Sequence, residues 1–243
     1  MNTLIIIPAY NEAQSITAVI SEVRTHFPDL DIVVVNDGST DETAAFARCG
    51  GAKVLSLPFN LGYGGAVQAG LAYAIEAGYE VCVLMDGDGQ HDPRFISDLL
   101  SPVLSGQADL ALGSRFLGRA DYKLPVGRKI GISLFSRLTS LVTRQQITDP
   151  TSGFQVIGRH LMTYFANDNY PDDYPDADTI IRLYFAGFRV KEVPVTIRPR
   201  LSGSSMHTGA SSFYYVYKML LSIFIALTEQ RVAREGGGRA VAN

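Results

Sequence analysis

Two hydrophobic periods alternate along the first half of the chain. The runs Leu4–Ile7, Ile32–Val35, Lys53–Leu57, Val81–Met85 and Leu110–Gly113 are short, rich in β-branched residues and bounded by turn formers, the pattern of buried strands. Between them, Ala13–His26, Thr40–Cys49, Gly62–Ala77 and Pro93–Leu104 read as helices of crossover length. This order predicts an α/β fold, a Rossmann-like, mostly parallel sheet with helices on both faces.

After Phe116 the alternation stops. A basic amphipathic segment, Arg128–Gln145, is followed by a turn-rich stretch and by the Pro- and Asp-rich run Tyr170–Asp178. A short helix (Ala177–Ala186), a strand (Val190–Arg198), a Ser/Gly loop (Ser202–Ser205) and an apolar helix (Ser211–Arg231) complete the expected elements. Residues Glu235–Asn243 read as a disordered tail.

The length, 243 residues with 47% hydrophobic and 19% charged, suits one large domain with a sizeable core. A net charge of −3 lacks the basic excess that binding a nucleic-acid backbone demands, so nucleic acid is not an expected partner. Cys49 and Cys82 fall in apolar segments without pairing or metal-ligand spacing, which predicts buried thiols in a reducing compartment, the cytoplasm. Met1–Pro8 lacks the basic, apolar and small-residue order of a signal peptide. The longest apolar tract, Phe213–Leu227, is interrupted by Lys218 and as a helix would span roughly 22 Å, short of a bilayer core.

In an open parallel sheet, ligands bind beyond the carboxyl ends of the strands, and here those ends collect polar residues. They are Pro8-Ala-Tyr-Asn-Glu12, Asn36-Asp-Gly-Ser-Thr-Asp41, Asp86-Gly-Asp-Gly-Gln90 and Ser114-Arg115. Asp86 and Asp88, one residue apart after a buried strand, can share a hard divalent cation with diphosphate oxygens. A solvated turn capping the next helix is the alternative, but Asp92 followed by Pro93 already supplies that cap. An EF-hand is excluded, since it needs Gly at His91 and Glu at Ser97. Ser39 and Glu42 have the spacing of a capping box, which leaves Asp37 to accept from a base or sugar or to serve its own turn. Asn11 can cap the first helix, and Tyr10 and Glu12 can stack on and hydrogen-bond a nucleoside or serve the local turn. The first strand-to-helix turn lacks the glycines of a dinucleotide site, and no phosphate-loop motif occurs.

Five motifs in order, Pro8-Ala-Tyr-Asn-Glu12, Asp37-Gly-Ser-Thr-Asp41, Asp86-Gly-Asp-Gly-Gln90, Gly113-Ser-Arg-Phe116 and Asp149-Pro-Thr-Ser-Gly-Phe154, resemble the family 2 glycosyltransferases over roughly residues 4 to 206. The likeness is to the branch that holds dolichol-phosphate mannosyltransferase and the bacterial polyprenyl-phosphate glycosyltransferases. It implies a GT-A fold, a nucleotide-diphosphate-sugar donor, and Mg²⁺ or Mn²⁺ on Asp86 and Asp88. By the same resemblance Pro8, Tyr10, Glu12 and Asp37 hold the nucleoside, Gln90 lies near the metal and diphosphate, and Arg115 lies near the phosphates or acceptor. Arg200-Leu-Ser-Gly203-Ser-Ser205 matches a mobile loop expected to close over the diphosphate, with Met206 where a Lys often follows and His207 as a stand-in. Residues 1–116 would then be the nucleotide-sugar half, 117–210 the acceptor half, 211–232 a C-terminal apolar helix and 233–243 a tail.

The resemblance also implies inversion in a single step, with Asp88 and Arg200 offsetting the leaving group's charge. A hydroxyl acceptor would need a general base, for which Asp176 and Asp178 are the nearest candidates, whereas a phosphate monoester is already anionic at neutral pH. The Asp149–Phe154 stretch is either a turn held by its own side chains or part of an acceptor subsite. Arg128, Lys129, Arg137 and Arg144 accompany Ile130, Ile132, Leu134, Phe135, Leu138 and Leu141 in a segment that either meets an anionic membrane surface or packs in the core. The expected function is sugar transfer to a polyprenyl phosphate by a peripheral enzyme at the cytoplasmic membrane face. The alternatives are extension of a cell-surface polysaccharide hydroxyl and a non-catalytic nucleotide-sugar-binding module.

Overall fold

The computed structural model describes residues 2–117, 126–170, 176–201 and 217–228. In chain order it contains β1 (Thr3–Ala9), α1 (Ile16–His26), β2 (Asp31–Asn36), α2 (Thr43–Cys49), β3 (Lys53–Ser56), α3 (Gly62–Glu76), β4 (Val81–Leu84), α4 (Ile96–Leu104), β5 (Leu110–Ser114), α5 (Val126–Thr143), β6 (Gln155–Gly158), α6 (Arg159–Tyr164), α7 (Ala177–Phe185) and β7 (Val190–Pro194). A last helix, α8, occupies 217–228. The strands form one sheet in the order β3-β2-β1-β4-β6-β5-β7, parallel except for β6, which runs antiparallel to both its neighbours.

All seven residues of β1 are buried, as a central strand covered on both faces requires. Its alternate residues serve different cores. Ile5 and Ile7 pack with Val34, Val83 and Met85 against α1 and α4, through Ile16, Ile20, Val23, Leu99 and Val103. Leu4 and Ile6 pack with Val33, Val35 and Leu84 against α3 and α6, through Val67, Leu71, Ala74 and Leu161. Burying a Leu or Ile side chain of this kind contributes roughly 1.5–3 kcal/mol, so these two layers are what fix the strand ends in space. A third, smaller cluster joins α5, α7 and α8 through Phe135, Ala177, Ile181, Met219 and Ile223.

The α/β expectation is met, with local corrections. Helix α1 begins at Ile16 rather than Ala13, because Glu12 to Ser15 form a turn closed by Ser15 N–H on the Glu12 carbonyl. Helix α2 begins at Thr43 rather than Thr40, where Asp41 accepts from the Thr43 amide and hydroxyl. The turn-rich stretch hides β6 and α6, and the last expected strand ends at Pro194 rather than Arg198. Asp92 accepts from Arg94 N–H and opens a single 3₁₀ turn, Pro93–Phe95, that leads into α4. Cys82 is buried as expected, but Cys49 is exposed, because it closes the short α2 on its outer side.

Candidate functional site

The chain leaves β1 toward β2 and β3 and then returns to place β4 on the other side of β1. The crevice beyond the carboxyl ends of β1 and β4 is therefore a topological switch point, where open α/β sheets bind ligands. Into it project the turn after β1, carrying Glu12, and the turn after β4, carrying Asp86, Asp88 and Gln90. A third segment, 195–201, leaves β7 and crosses the β4 turn. Arg198 N–H donates to the Gln90 carbonyl and Leu201 N–H to the Asp88 carbonyl, both at 3.0 Å, and His91 bridges Ile197.

Asp88 is 2% exposed. Its Oδ1 accepts from Gln90 N–H at 2.9 Å, and its Oδ2 lies 2.9 Å from the Arg200 guanidinium. Asp86 Oδ1 is inaccessible, the Tyr63 hydroxyl is a neighbour of the carboxyl, and Oδ2 faces His91 Nε2 at 3.7 Å. Burial pushes the Asp86 carboxyl above the ordinary range; the His91 ring opposes this, and the Asp88 charge adds to it. Glu12 is raised in the same direction, first by burial, against a hydrogen bond from Ser15 and with the Asp88 charge adding. Glu12, Asp86, Asp88 and Arg200 thus form one electrostatic group.

Other expected residues lie around this group. Tyr10 is exposed in the turn directly after β1, and Pro8 is buried within β1. Gln90 spends its side-chain amide on the Arg198 carbonyl at 3.3 Å. Asp37 is not free: its two oxygens accept from Leu61 N–H and Gly62 N–H at 2.7 and 2.9 Å, capping α3. The capping box does not form either. Ser39 Oγ accepts instead from Asn11 N–H, and Asn11 Oδ1 accepts from Thr40 N–H, so the β1 and β2 turns are laced to each other. Asn11 adopts φ +55° for this and does not cap α1.

Arg115 is held by Asp149 in a two-point pair, Nε to Oδ2 and a terminal nitrogen to Oδ1, each 2.6 Å, with a further bond to Thr151 at 2.8 Å. The Asp149 turn is therefore not closed by its own side chains alone. It is tied to β5 by Arg115 and to β7 by Glu192, which accepts from Thr148 N–H and Asp149 N–H. This turn carries Gly153 to the site, where a Cβ would stand 3.4 Å from Asp86 Oδ1 and 3.3 Å from the Tyr63 hydroxyl. Asp176 is 3% exposed just before α7, and its charge and that of Asp86 both reach the buried Tyr170 hydroxyl, raising it above its usual value after burial itself. Asp178 is not brought to the site. It lies on the side of α7 that meets α8, where burial raises it and the Ser222 hydroxyl and the Arg182 charge oppose. Gly203, Ser205, Met206 and His207 lie outside the described residues.

Sequence reasoning missed His91, Tyr170 and Glu192. The signal for His91 was its place directly after the Asp86–Gln90 run, and the other two had none.

The model of glycosyl transferase family 2 matches residues 4–165. An undecaprenyl-phosphate mannosyltransferase of Micrococcus luteus is 33% identical over 217 residues, covering 86% of this chain and 88% of its own. A polyprenol monophosphomannose synthase of Mycolicibacterium smegmatis is 32% identical over 227 residues, covering 89% and 85%. Among solved structures, glucosyl-3-phosphoglycerate synthase of Mycobacterium tuberculosis, in complex with Mn²⁺, UDP and glucosyl-3-phosphoglycerate, superposes with a TM-score of 0.66 at 22% identity, covering 94% of this chain and 79% of that one. That likeness is one of fold.

Proposed function

We propose that this chain, which belongs to glycosyl transferase family 2 and is a glycosyltransferase of GT-A fold, transfers a sugar from a nucleotide-diphosphate sugar to a polyprenyl phosphate in one inverting step. The observation that carries the reading is the joining of Glu12, Asp86 and Asp88 with Arg200 at the switch point of the sheet. The acceptor follows the names of the Micrococcus and Mycolicibacterium relatives.

The residues fit a divalent cation, Mg²⁺ or Mn²⁺. Asp86 offers a carboxylate oxygen shielded from solvent two positions before Asp88 in the chain, and both candidate donors are hard carboxylates. The described residues supply no cage of three or more His, Cys, Asp or Glu, and Mg²⁺ characteristically binds through one or two carboxylates with substrate phosphates. Asp86 and Asp88 would hold the ion, which when bound neutralises negative charge on the departing diphosphate.

The rest of the work falls to the chain's own groups. Arg200 presents a guanidinium fork suited to phosphate oxygens beside Asp88. Tyr10, exposed in the turn after β1, offers a ring on which a base can stack, and Glu12 an acceptor. Asp37 keeps lone pairs beyond the two it gives to α3, yet its first duty is to fix the Asn60–Gly62 turn beside the nucleoside. Arg115 acts through the Asp149 turn that delivers Gly153. A phosphate acceptor, with its second pKa about 6, needs no base at neutral pH. Asp176 would be the base for a hydroxyl acceptor, a second reading favoured by its burial beside the site.

No helix among the described residues is long and apolar enough to cross a membrane. The inner stripes of α5 and α8 pack in the third core, while Ile130, Leu134, Leu141, Leu220 and Phe224 stay exposed, Leu141 at 77% and Phe224 at 62%. Core packing and membrane contact are therefore compatible: the outer apolar stripes, with Lys129, Arg137 and Arg144 also exposed, suit a peripheral site on an anionic membrane face such as the cytoplasmic one. The test incubates purified protein, Mg²⁺ and labelled UDP- or GDP-sugars with polyprenyl phosphate or with saccharide hydroxyls. Label on the lipid, lost in Asp88→Ala, is the expected result. Label on saccharide alone overturns the acceptor, and equal background release of nucleoside diphosphate by both proteins overturns the enzyme.

A further inference from the structure

His91 stands five positions beyond Asp86, and the intervening turn folds it back beneath that residue. Gly89 takes φ +80° in this turn, and a Cβ there would lie 2.4 Å from Leu201 Cδ1, so both backbone shape and close approach require glycine. The imidazole is 6% exposed and lies flat on Phe154, with centroids 4.7 Å apart and planes at 9°. Its Nδ1 accepts the Asp86 backbone N–H at 3.0 Å. A backbone amide only donates, so Nδ1 bears no proton and the neutral ring carries its proton on Nε2. That nitrogen faces Asp86 Oδ2 at 3.7 Å, too far for a hydrogen bond but near enough for the N–H dipole to favour one carboxylate orientation.

One ring therefore contacts the same aspartate twice, on its main chain and opposite its side chain, while the stack on Phe154 prevents the ring from turning. Packing alone would require only the stack, which a phenylalanine makes equally well. We propose that His91 is a positioning residue, which locks the backbone and carboxylate plane of Asp86 so that this carboxylate meets a divalent cation in a single orientation. The inference rests on the assignment of Asp86 and Asp88 as the cation's holders. It places His91 in the relation to Asp86 that outer hydrogen-bonding partners bear to metal ligands generally, where their loss costs about 10–100-fold in affinity or activity.

Two substitutions in the full chain separate the roles. His91→Phe keeps the stack and removes both nitrogens; His91→Asn keeps an acceptor near the Nδ1 position and removes the group facing Oδ2. Free Mn²⁺ is followed by electron paramagnetic resonance during titration with UDP or GDP present, and folding by thermal melting. His91→Phe is expected to melt close to wild type yet bind Mn²⁺ about 10-fold or more weakly, with His91→Asn between the two. In turnover, the Mn²⁺ concentration for half-maximal rate rises while the rate at saturating Mn²⁺ recovers. Wild-type affinity in a folded His91→Phe overturns the proposal; if that variant does not fold, wild-type affinity in His91→Asn does so. Wild-type protein that takes up no Mn²⁺ with either nucleotide overturns the cation assignment itself, and this inference with it, a result distinct from equal binding by all three proteins.

Discussion

Asp92 shows how much a single buried carboxylate holds at this sheet edge. It is 1% exposed, accepts from the Arg94 backbone and side chain, and lies 2.7 Å from Arg198, which is itself paired to Glu22. Burial alone would raise its pKa, but the hydrogen bonds from Arg94 and the Arg198 charge outweigh burial and hold it below the usual carboxylate range. A folded pKa lowered in this way gives stability that is present above the unfolded value of about 4 and lost as the pH falls through the folded value. Asp92→Ala removes a cap and leaves Arg198 short of a partner, at a cost of about 2 kcal/mol, or roughly 4–8 °C in Tm. Melting curves from pH 7 downward should show the gap to wild type closing in the acid range. Asp176→Asn tests a catalytic role instead. With a polyprenyl phosphate acceptor it should lower kcat less than about 10-fold, whereas loss of a true general base costs about 100-fold or more. Residues of both kinds differ in how legible they were. Asp86 and Asp88 could be read because strand ends are visible as the ends of apolar runs. Asp37 could not, since the amides it caps belong to Leu61 and Gly62, more than twenty residues on. Ser39 was misread for the same reason, its partner Asn11 coming from the turn before.

At the level of elements, apolar runs identified the first five strands, of which β1, β4 and β5 are buried along their whole length, and periodicity identified four helices because each buries one stripe. It failed at β6, where only Val156 and Ile157 are apolar between Gln155 and Gly158, although this strand fills the gap between β4 and β5. It also gave no rotation for α7. Ile180 and Leu183 turn to the large core and Ala177 and Ile181 to α8, so Asp178 follows the latter while Asp176 stays on the site's side. Amphipathicity in α5 and α8 predicted an apolar inner stripe but could not show that a second stripe remains outside. If that outer stripe meets a membrane, Leu141→Glu and Phe224→Glu should each weaken binding to anionic vesicles by about 10-fold, since burying such a side chain is worth roughly 1.5–3 kcal/mol. Melting temperature should hardly change, because neither side chain enters the core. Co-sedimentation at low and high salt measures both the apolar and the charge contributions; unchanged partition in both variants removes the membrane surface from the reading.

Across the whole molecule, the crevice is assembled from parts far apart in sequence. Segment 195–201 is laced over the β4 turn by the bonds to Gln90 and Asp88, while the β1 and β2 turns are laced by Asn11. Three neighbouring acids share the Arg200 charge, and burial works against ionising Glu12 and Asp86. On the proposed reading a divalent cation would add positive charge beside Glu12, Asp86 and Asp88, and the nucleoside diphosphate would bring phosphate oxygens to the same ion. Binding to the folded state alone stabilises by RT ln(1 + [L]/Kd), about 2.7 kcal/mol at a hundredfold excess over Kd, which for a chain of this size is roughly 5–11 °C in Tm. The shift should require both components: Mn²⁺ alone or nucleotide alone should give much less than the two together, since each completes the other's ligand set. Asp88→Ala should lose the cation-dependent part of the shift whatever its own melting temperature. Differential scanning fluorimetry over a matrix of Mn²⁺ with UDP, GDP and dTDP checks this directly and, by the largest shift, identifies the base the crevice prefers. Equal shifts for wild type and Asp88→Ala would mean that the nucleotide binds without the aspartate pair.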